Sequence, residues 1–130
     1  MMSDLIYNEH KYLLEKNYCE YDEERTCYKA FNKNLTSKYG FQYEVGKVYE
    51  IDKNELQLGK CGFHFCECAL DVDYWYPPNK DTTYAVIEVL GDAICNNIDS
   101  NAVTNKIKIH RQITRKELIK EYKISMKDFN

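Results

Sequence analysis

Apolar and polar residues alternate in several short runs of this chain, and that spacing is typical of β-strands. Residues 84–90 are apolar almost throughout, which predicts a strand in the middle of a sheet. Residues 106–111 alternate between isoleucine and basic side chains, which predicts a half-exposed strand of the kind found at sheet edges. Further strands are predicted at 26–32, as a hairpin-like pair within 41–51, and at 61–68.

Both ends of the chain and one central stretch have helical patterns instead. Residues 3–17 carry apolar side chains near helical spacing, and a capping residue precedes them. Residues 69–76 predict a short helix that Pro77 ends, and residues 114–117 match a capping box that begins a last helix. The predicted fold class is therefore α+β, with an N-terminal, a short central and a C-terminal helix on a mixed or antiparallel sheet of about five strands.

Size and composition narrow the class of protein. The 130 residues are enough for a single domain, 1–130, and 30% of them are charged, as in a folded soluble protein. No apolar run approaches the roughly 20 residues that a membrane span needs. The first residues lack a basic patch followed by an apolar stretch, so we expect no secretory signal, a cytoplasmic location, and six reduced cysteines.

Charge is unevenly distributed along the chain although its net value is only −3. Asp22, Glu23 and Glu24 form an acidic run that is either a solvated loop or a contact for a basic partner. Basic residues concentrate near the C-terminus and could contact phosphates. The candidates are Lys106, Lys108, Arg111, Arg115, Lys116 and Lys120. Nucleic acid is not the favoured partner, because the whole chain is acidic and has no base-stacking aromatic signature.

The segment 62–78 holds the only tryptophan and both prolines of the chain. Tyr74, Trp75 and Tyr76 precede the prolines, and such aromatic residues are enriched in the energetic centres of protein interfaces. The alternative is that Trp75 packs the short helix onto the sheet. The sequence therefore gives two interpretations of this corner, a partner-binding surface and an ordinary packing contact.

A histidine stands among three cysteines in the same region, at Cys61, His64, Cys66 and Cys68. These are ligand types that suit zinc, but their spacing differs from the paired ligands of structural zinc sites. A strand here would put His64 and Cys66 on one face and the phenylalanines on the other. We therefore expect packed thiols and a hydrogen-bonded imidazole, with no metal, no cofactor and no catalytic cysteine.

Several short motifs, in order, resemble a known family. They are YKAFNKNLT at 28–36, GFQYEVGKVY at 40–49, GFHFC at 62–66, YWYPP at 74–78 and VLGD at 89–92. Together they resemble the DUF7666-type domain of bacteriophages, prophages and some large DNA viruses. The resemblance covers about 27–118, which leaves residues 1–26 as an N-terminal helical addition. The family implies a viral or prophage setting but no established activity.

A fainter similarity points to the NAD-binding segments of the ADP-ribosyltransferase superfamily. It would place Lys29, His64 and Glu88 in an NAD site. Those enzymes use a His or Arg on the first strand and a late Glu that polarises the ribose, and Lys29 does not meet the first requirement.

The function predicted from the sequence is that of a small accessory protein of phage type that binds a host or viral protein in the host cytoplasm. Inhibition of a host defence protein is one form that this binding would take. The alternatives are the NAD-binding domain and a nucleic-acid-binding module built on the basic C-terminal residues. An enzyme is the less favoured class.

Overall fold

The computed structural model describes residues 18–19, 26–95 and 100–127. Eight strands and one α-helix form its regular part. The strands are β1 (Tyr18–Cys19), β2 (Cys27–Phe31), β3 (Val48–Glu50), β4 (Phe63–Cys66), β5 (Thr83–Val89), β6 (Ala93–Cys95), β7 (Asn101–Thr104) and β8 (Lys106–Ile113), and the helix is α1 (Arg115–Lys127). Three 3₁₀ turns lie at Lys33–Leu35, Lys53–Glu55 and Ala69–Tyr74.

The strands form one sheet in the order β1-β6-β7-β4-β2-β5-β8-β3, and all neighbouring strands pair antiparallel. Strand β5 lies between β2 and β8, as its continuous apolar sequence predicts. Its register with β8 shifts between Val86 and Ile87, which marks a bulge that bends the sheet locally.

Alternation along the strands divides the interior into two apolar layers. Phe63 and Phe65 of β4 join one layer, while Cys66 joins the other, so the predicted alternation of this strand is confirmed. The second layer is covered by the third 3₁₀ turn, through Val72, and by α1, through Leu118. Residues of period two on each strand thus pack both faces of the sheet.

Helix α1 begins at the predicted capping box. The Thr114 backbone N–H donates to a Glu117 carboxylate oxygen at 3.0 Å, and the Glu117 N–H donates to the Thr114 hydroxyl at 3.1 Å. The Arg115 guanidinium then donates to both Asp73 oxygens, at 2.6 and 2.9 Å. This bidentate pair fastens α1 to the third 3₁₀ turn, and the pKa of Arg115 is raised chiefly by these hydrogen bonds.

The predicted fold class was wrong in its elements. The described sheet has more than five strands, and the central segment is a 3₁₀ turn rather than an α-helix. Its backbone bonds reach three residues back, from the Asp71 N–H to Cys68 and from the Trp75 N–H to Val72, and the segment is too short to add α-helical turns before Pro77. The predicted N-terminal helix at 3–17 lies outside the described residues.

Three strand predictions also need correction. Strands β1, β6 and β7 were missed because each has only two to four residues. The predicted hairpin within 41–51 is one strand, β3, which pairs with β8. Strand β8 is not an edge, since β3 covers its outer side. A lysine-rich alternating sequence therefore marked solvent exposure of one face correctly and edge position wrongly.

The cysteines differ from the expectation of six reduced thiols. Cys95 is disulfide-bonded, whereas Cys27, Cys61, Cys66 and Cys68 are reduced thiols. Within the described part of the chain, no helix has the length and apolar character needed to cross a membrane.

Candidate functional site

A cleft opens in the sheet where β2 and β4 separate. The two described strands share a single register pair, Tyr28 with Cys66. Beyond that pair β2 continues its ladder with β5 and β4 continues its own with β7. The gap between them encloses about 250 Å³ and is open to solvent. A sheet that divides in this way exposes backbone and inward-facing side chains of both strands to a ligand.

Side chains from strands and loops line this cleft. Among the described lining residues are three lysines and no carboxylate, although the chain as a whole is acidic. The charged, hydroxyl-bearing and aromatic members are Tyr28, Lys29, Ser37, Lys38, Tyr39, Tyr43, Lys60, His64, Phe65, Trp75 and Tyr76. Positive charge without a neighbouring carboxylate favours an anionic ligand.

Lys29 bridges the two separated strands. Its Nζ donates a 2.6 Å hydrogen bond to the His64 carbonyl and lies 5.6 Å from the ring centroids of Phe31 and Tyr43. Burial lowers the pKa of Lys29 to about 8, and Cys66 offsets part of that effect. A lysine with this pKa is still mainly cationic at neutral pH, so it supplies a charge deep in the cleft.

His64 fixes the turn at the cleft rim. Its Nε2 accepts a 2.7 Å hydrogen bond from the Gly59 N–H, and its ring lies 5.1 Å from that of Trp75. Burial, and then the Lys29 charge, lower the pKa of His64 to about 4, while a hydrogen bond with the Gly62 backbone opposes that change. The imidazole is therefore neutral at physiological pH and acts as a positioned acceptor.

The aromatic wall is held in place by specific hydrogen bonds. Trp75 Nε1 donates to Asn101 Oδ1 at 3.0 Å, and the Cys66 thiol donates to the same oxygen at 3.0 Å. The Tyr76 hydroxyl accepts from the Lys38 N–H at 3.0 Å, and the Lys38 ammonium lies 5.2 Å from the Tyr76 ring. The Lys38–Tyr76 contacts tie the loop at one side of the cleft to the segment that follows the third 3₁₀ turn, and Asn101 of β7 holds Trp75 and Cys66.

The fold brings together only two of the three residues predicted to form an NAD site. Lys29 and His64 meet in the cleft, as described above. Glu88 does not line it: its carboxylate faces His110 Nδ1 at 3.0 Å, between β5 and β8. The fold therefore brings Lys29 and His64 together and keeps Glu88 away from this cleft.

Apart from Trp75 and Tyr76, the other predicted site residues do not line the cleft or lie outside the described chain. Arg111 pairs with Glu121 at 3.2 Å, and Arg115 pairs with Asp73. The remaining basic candidates lie on two elements, Lys106 and Lys108 on β8 and Lys116 and Lys120 on α1.

Of the predicted partner-binding residues, Tyr74 is 74% exposed, while Trp75 and Tyr76 are half-buried in the cleft wall. Asp22, Glu23 and Glu24 lie outside the described residues.

Sequence reasoning missed Lys38, Tyr43 and Lys60 as cleft residues. They come from loops between the first 3₁₀ turn and β4, and no periodic pattern or motif connects them. In the part of the chain that the structure describes, no group of three or more His, Cys, Asp or Glu could hold a metal ion, and this includes the four clustered Cys and His residues at 61–68.

Comparison with known proteins shows which family the chain belongs to. The sequence matches the family described as Domain of unknown function (DUF7666) over residues 25–121. The chain belongs to the DUF7666 family. The predicted resemblance is thereby confirmed at the level of the family. No curated protein and no solved structure matches the chain.

The described lining of the cleft lies inside the DUF7666 segment. All of its described lining residues fall between Tyr28 and Tyr76, and the family match begins before the first and ends after the last of them. The described lining of the cleft is thus a feature of the DUF7666 domain.

Proposed function

We propose that this DUF7666 chain is a small-ligand-binding domain, and that its ligand is a compact anion carrying a planar ring. The observation that supports this most is the lining of the β2–β4 cleft, which combines three lysines and several aromatic rings with no carboxylate among the described residues. Ligand sites of this kind are concave and largely aromatic, with a few polar groups that fix orientation.

The geometry assigns a task to each group. Lys29 offers its ammonium to an anionic oxygen at the deep end of the cleft, while Lys38 and Lys60 are exposed at its mouth. Tyr43 and Tyr76 already contact lysine ammonium groups through their ring faces and offer rings to a planar group. Nucleotides combine the two required features, an anionic phosphate and a planar base.

The size of the cleft limits the ligand. Its volume of about 250 Å³ is below the roughly 300–1,000 Å³ of pockets that enclose drug-sized molecules. A mononucleotide, or one end of a dinucleotide such as NAD, is the appropriate scale. The proposed activity is binding and not ADP-ribosyl transfer, because Glu88 lies away from the cleft.

Isothermal titration calorimetry tests the proposal. Nucleoside monophosphates, NAD and the matching uncharged nucleosides are titrated into the wild type, into Lys29→Met, and into Lys53→Met, which removes an exposed lysine outside the cleft. We expect binding of at least one anionic ligand that weakens tenfold or more in Lys29→Met and is unchanged in Lys53→Met. No binding heat with any ligand at millimolar concentration, or equal affinity in both variants, would refute the proposal.

A second candidate function is binding to a host or viral protein, in a phage or prophage setting within the host cytoplasm. It is supported by two tyrosines on the segments that form the cleft, Tyr39 at 98% and Tyr74 at 74% exposure. Exposed aromatic rings contribute strongly to protein interfaces. Inhibition of the bound protein would follow from occupation of its surface.

Affinity capture from infected cells, compared between the wild type and the double variant Tyr39→Ser/Tyr74→Ser, tests this candidate. A partner retained by the wild type and lost by the folded double variant supports it. Identical partners for both proteins would remove these tyrosines from consideration.

A further inference from the structure

We infer that Lys29 is also a nucleophile, whose amine condenses with an aldehyde bound in the β2–β4 cleft to form an imine. The inference extends the proposed function by naming a carbonyl group as a feature of the ligand, and it rests on that function because the aldehyde must enter the same cleft. It assigns to Lys29 a covalent chemistry in addition to its charge.

The contacts of Lys29 differ from those of the paired cations Arg115 and Lys47. Arg115 and Lys47 each pair with a carboxylate, Asp73 and Glu44 respectively. The polar contact of Lys29 is a neutral carbonyl oxygen, that of His64, and no carboxylate pairs with it in the part of the chain that the structure describes. A carboxylate partner would hold the ammonium form, and its absence from these contacts favours release of a proton.

Access to the amine comes from the separation of β2 and β4. Lys29 lies deep in the fold, yet its side chain keeps part of its surface exposed and lines the cleft. A ligand that enters from the mouth passes Lys38 and Lys60 and meets the Lys29 side chain between the two strands. Desolvated lysines in such positions are the ones that react with carbonyl compounds.

The groups that face Lys29 are compatible with a free amine near pH 8. Burial lowers the pKa of Lys29 to about 8, and Cys66 on β4 acts in the opposite direction. On β4, His64 is neutral, and burial raises the pKa of Tyr43 from the loop side, so its phenol stays uncharged. The other charged groups of the described lining, Lys38 and Lys60, are cations at the mouth of the cleft, so no carboxylate of the described lining holds the ammonium form of Lys29.

The reaction needs no oxidant or reductant. The lone pair of the neutral Lys29 nitrogen forms a bond to the carbonyl carbon, and the carbonyl oxygen becomes the hydroxyl of a carbinolamine. That oxygen leaves as water with the two hydrogens of the amine, and a carbon–nitrogen double bond replaces the carbon–oxygen double bond. One aldehyde and one amine give one imine and one water.

Reductive trapping in the wild-type protein tests this inference. Pyridoxal 5′-phosphate supplies an aldehyde, a planar ring and a phosphate, and borohydride converts any imine into a stable secondary amine that peptide mapping locates. The other fourteen lysines of the chain are internal controls. We expect Lys29 to be labelled at least fivefold faster than the exposed lysines at pH 8, with a rate that rises from pH 6 and levels off above the pKa of about 8.

Two comparisons complete the experiment. Lys29→Arg should lose only the adduct at residue 29, and pyridoxal without its phosphate should label Lys29 more slowly than pyridoxal 5′-phosphate. Labelling of Lys29 no faster than that of exposed lysines in the folded protein would overturn the inference.

The outcome is separable from that of the proposed function. Fast labelling of Lys29 without any calorimetric binding of phosphates would retain the reactive amine and reject the anion site. Nucleotide binding with an unlabelled Lys29 would retain the anion site and reject the reactive amine.

Discussion

At the scale of single residues, two ionisable side chains of the cleft are held away from their ordinary protonation equilibria. His64 is kept neutral by burial and by Lys29, and Lys29 is kept partly desolvated between separated strands. Both conditions make the stability of the protein depend on pH, because the folded and unfolded states then bind different numbers of protons.

His64 makes the protein sensitive to acid. Its folded pKa of about 4 is below the ordinary value of 6.5, so the unfolded chain takes up the proton first as pH falls. Above pH 6.5 the imidazole is neutral in both states and does not change the free energy of unfolding. As the pH falls from 6.5 to 4, the free energy of unfolding decreases by about 2–3 kcal/mol in total. Urea unfolding at pH 7 and pH 4.5 should show this loss in the wild type and a smaller one in His64→Gln.

His110 provides the control, because it is exposed and faces a carboxylate, that of Glu88, whereas His64 is half-buried beside Lys29. His110→Gln should keep the acid sensitivity that His64 confers. An equal pH dependence of the free energy of unfolding in the wild type and His64→Gln would show that His64 is not the source of the acid sensitivity.

Lys29 should lower the stability of the folded protein. Its folded pKa is lowered, so the charged form is disfavoured by folding and the cost is complete below pH 8. Lys29→Met should therefore raise the free energy of unfolding at pH 7 by about 1–3 kcal/mol, after the lost hydrogen bond to His64 is counted. The difference should shrink between pH 8 and pH 10 as the wild-type lysine loses its proton.

Urea unfolding of the wild type, Lys29→Met and Lys53→Met at pH 7 and pH 10 measures this. Lys53→Met removes an exposed charge and should change stability little at either pH. A lower free energy of unfolding for Lys29→Met than for the wild type at pH 7 would show that Lys29 stabilises the fold and would contradict this prediction. A gain in stability with a loss of binding is the combination expected of a functional lysine.

At the scale of elements, the cleft wall depends on how the third 3₁₀ turn is fastened. The bidentate Arg115–Asp73 pair joins this turn to α1, and the turn carries Val72 and leads into Trp75 and Tyr76 of the wall. A 3₁₀ segment has weaker internal bonding than an α-helix, so external contacts decide its position.

Arg115→Ala should destabilise the protein by about 1–2 kcal/mol, since it removes two charge-assisted hydrogen bonds from a partly exposed pair. Arg111→Ala, which breaks the more exposed pair with Glu121, should cost less than about 1 kcal/mol. Thermal unfolding of both variants measures the contrast. A similar effect of the two substitutions would mean that the Asp73 contact does not anchor the turn.

Sequence patterns identified some of these elements and misjudged others for physical reasons. The continuous apolar run of β5 and the reciprocal hydrogen bonds of the α1 capping box are local properties, so both elements could be predicted. The turn at 69–74 has a composition that suits a helix, and its length and tertiary contacts decide that it is 3₁₀. Strands of three or four residues give too few alternations to stand out.

At the scale of the whole molecule, the candidate site arises from topology. Lys29 and His64 attracted notice in the sequence, but their meeting depends on the order in which β2 and β4 lie and on the single pair that joins them. Lys38, Tyr43 and Lys60 reach the cleft through loops whose paths no periodicity reveals. The charge of the chain is negative overall, so the local excess of lysine becomes visible only once the fold brings these residues together.

The central claim is that the separation of β2 and β4 forms the ligand site of this DUF7666 domain. Backbone amide chemical shifts of ¹⁵N-labelled protein, followed while a nucleoside monophosphate is added, test it most directly. The account predicts saturable shifts that concentrate at 28–30, 37–43 and 59–66, with much smaller shifts for the uncharged nucleoside. Shifts confined to the lysine-bearing surfaces of β8 and α1, or no saturable shifts at all, would contradict it.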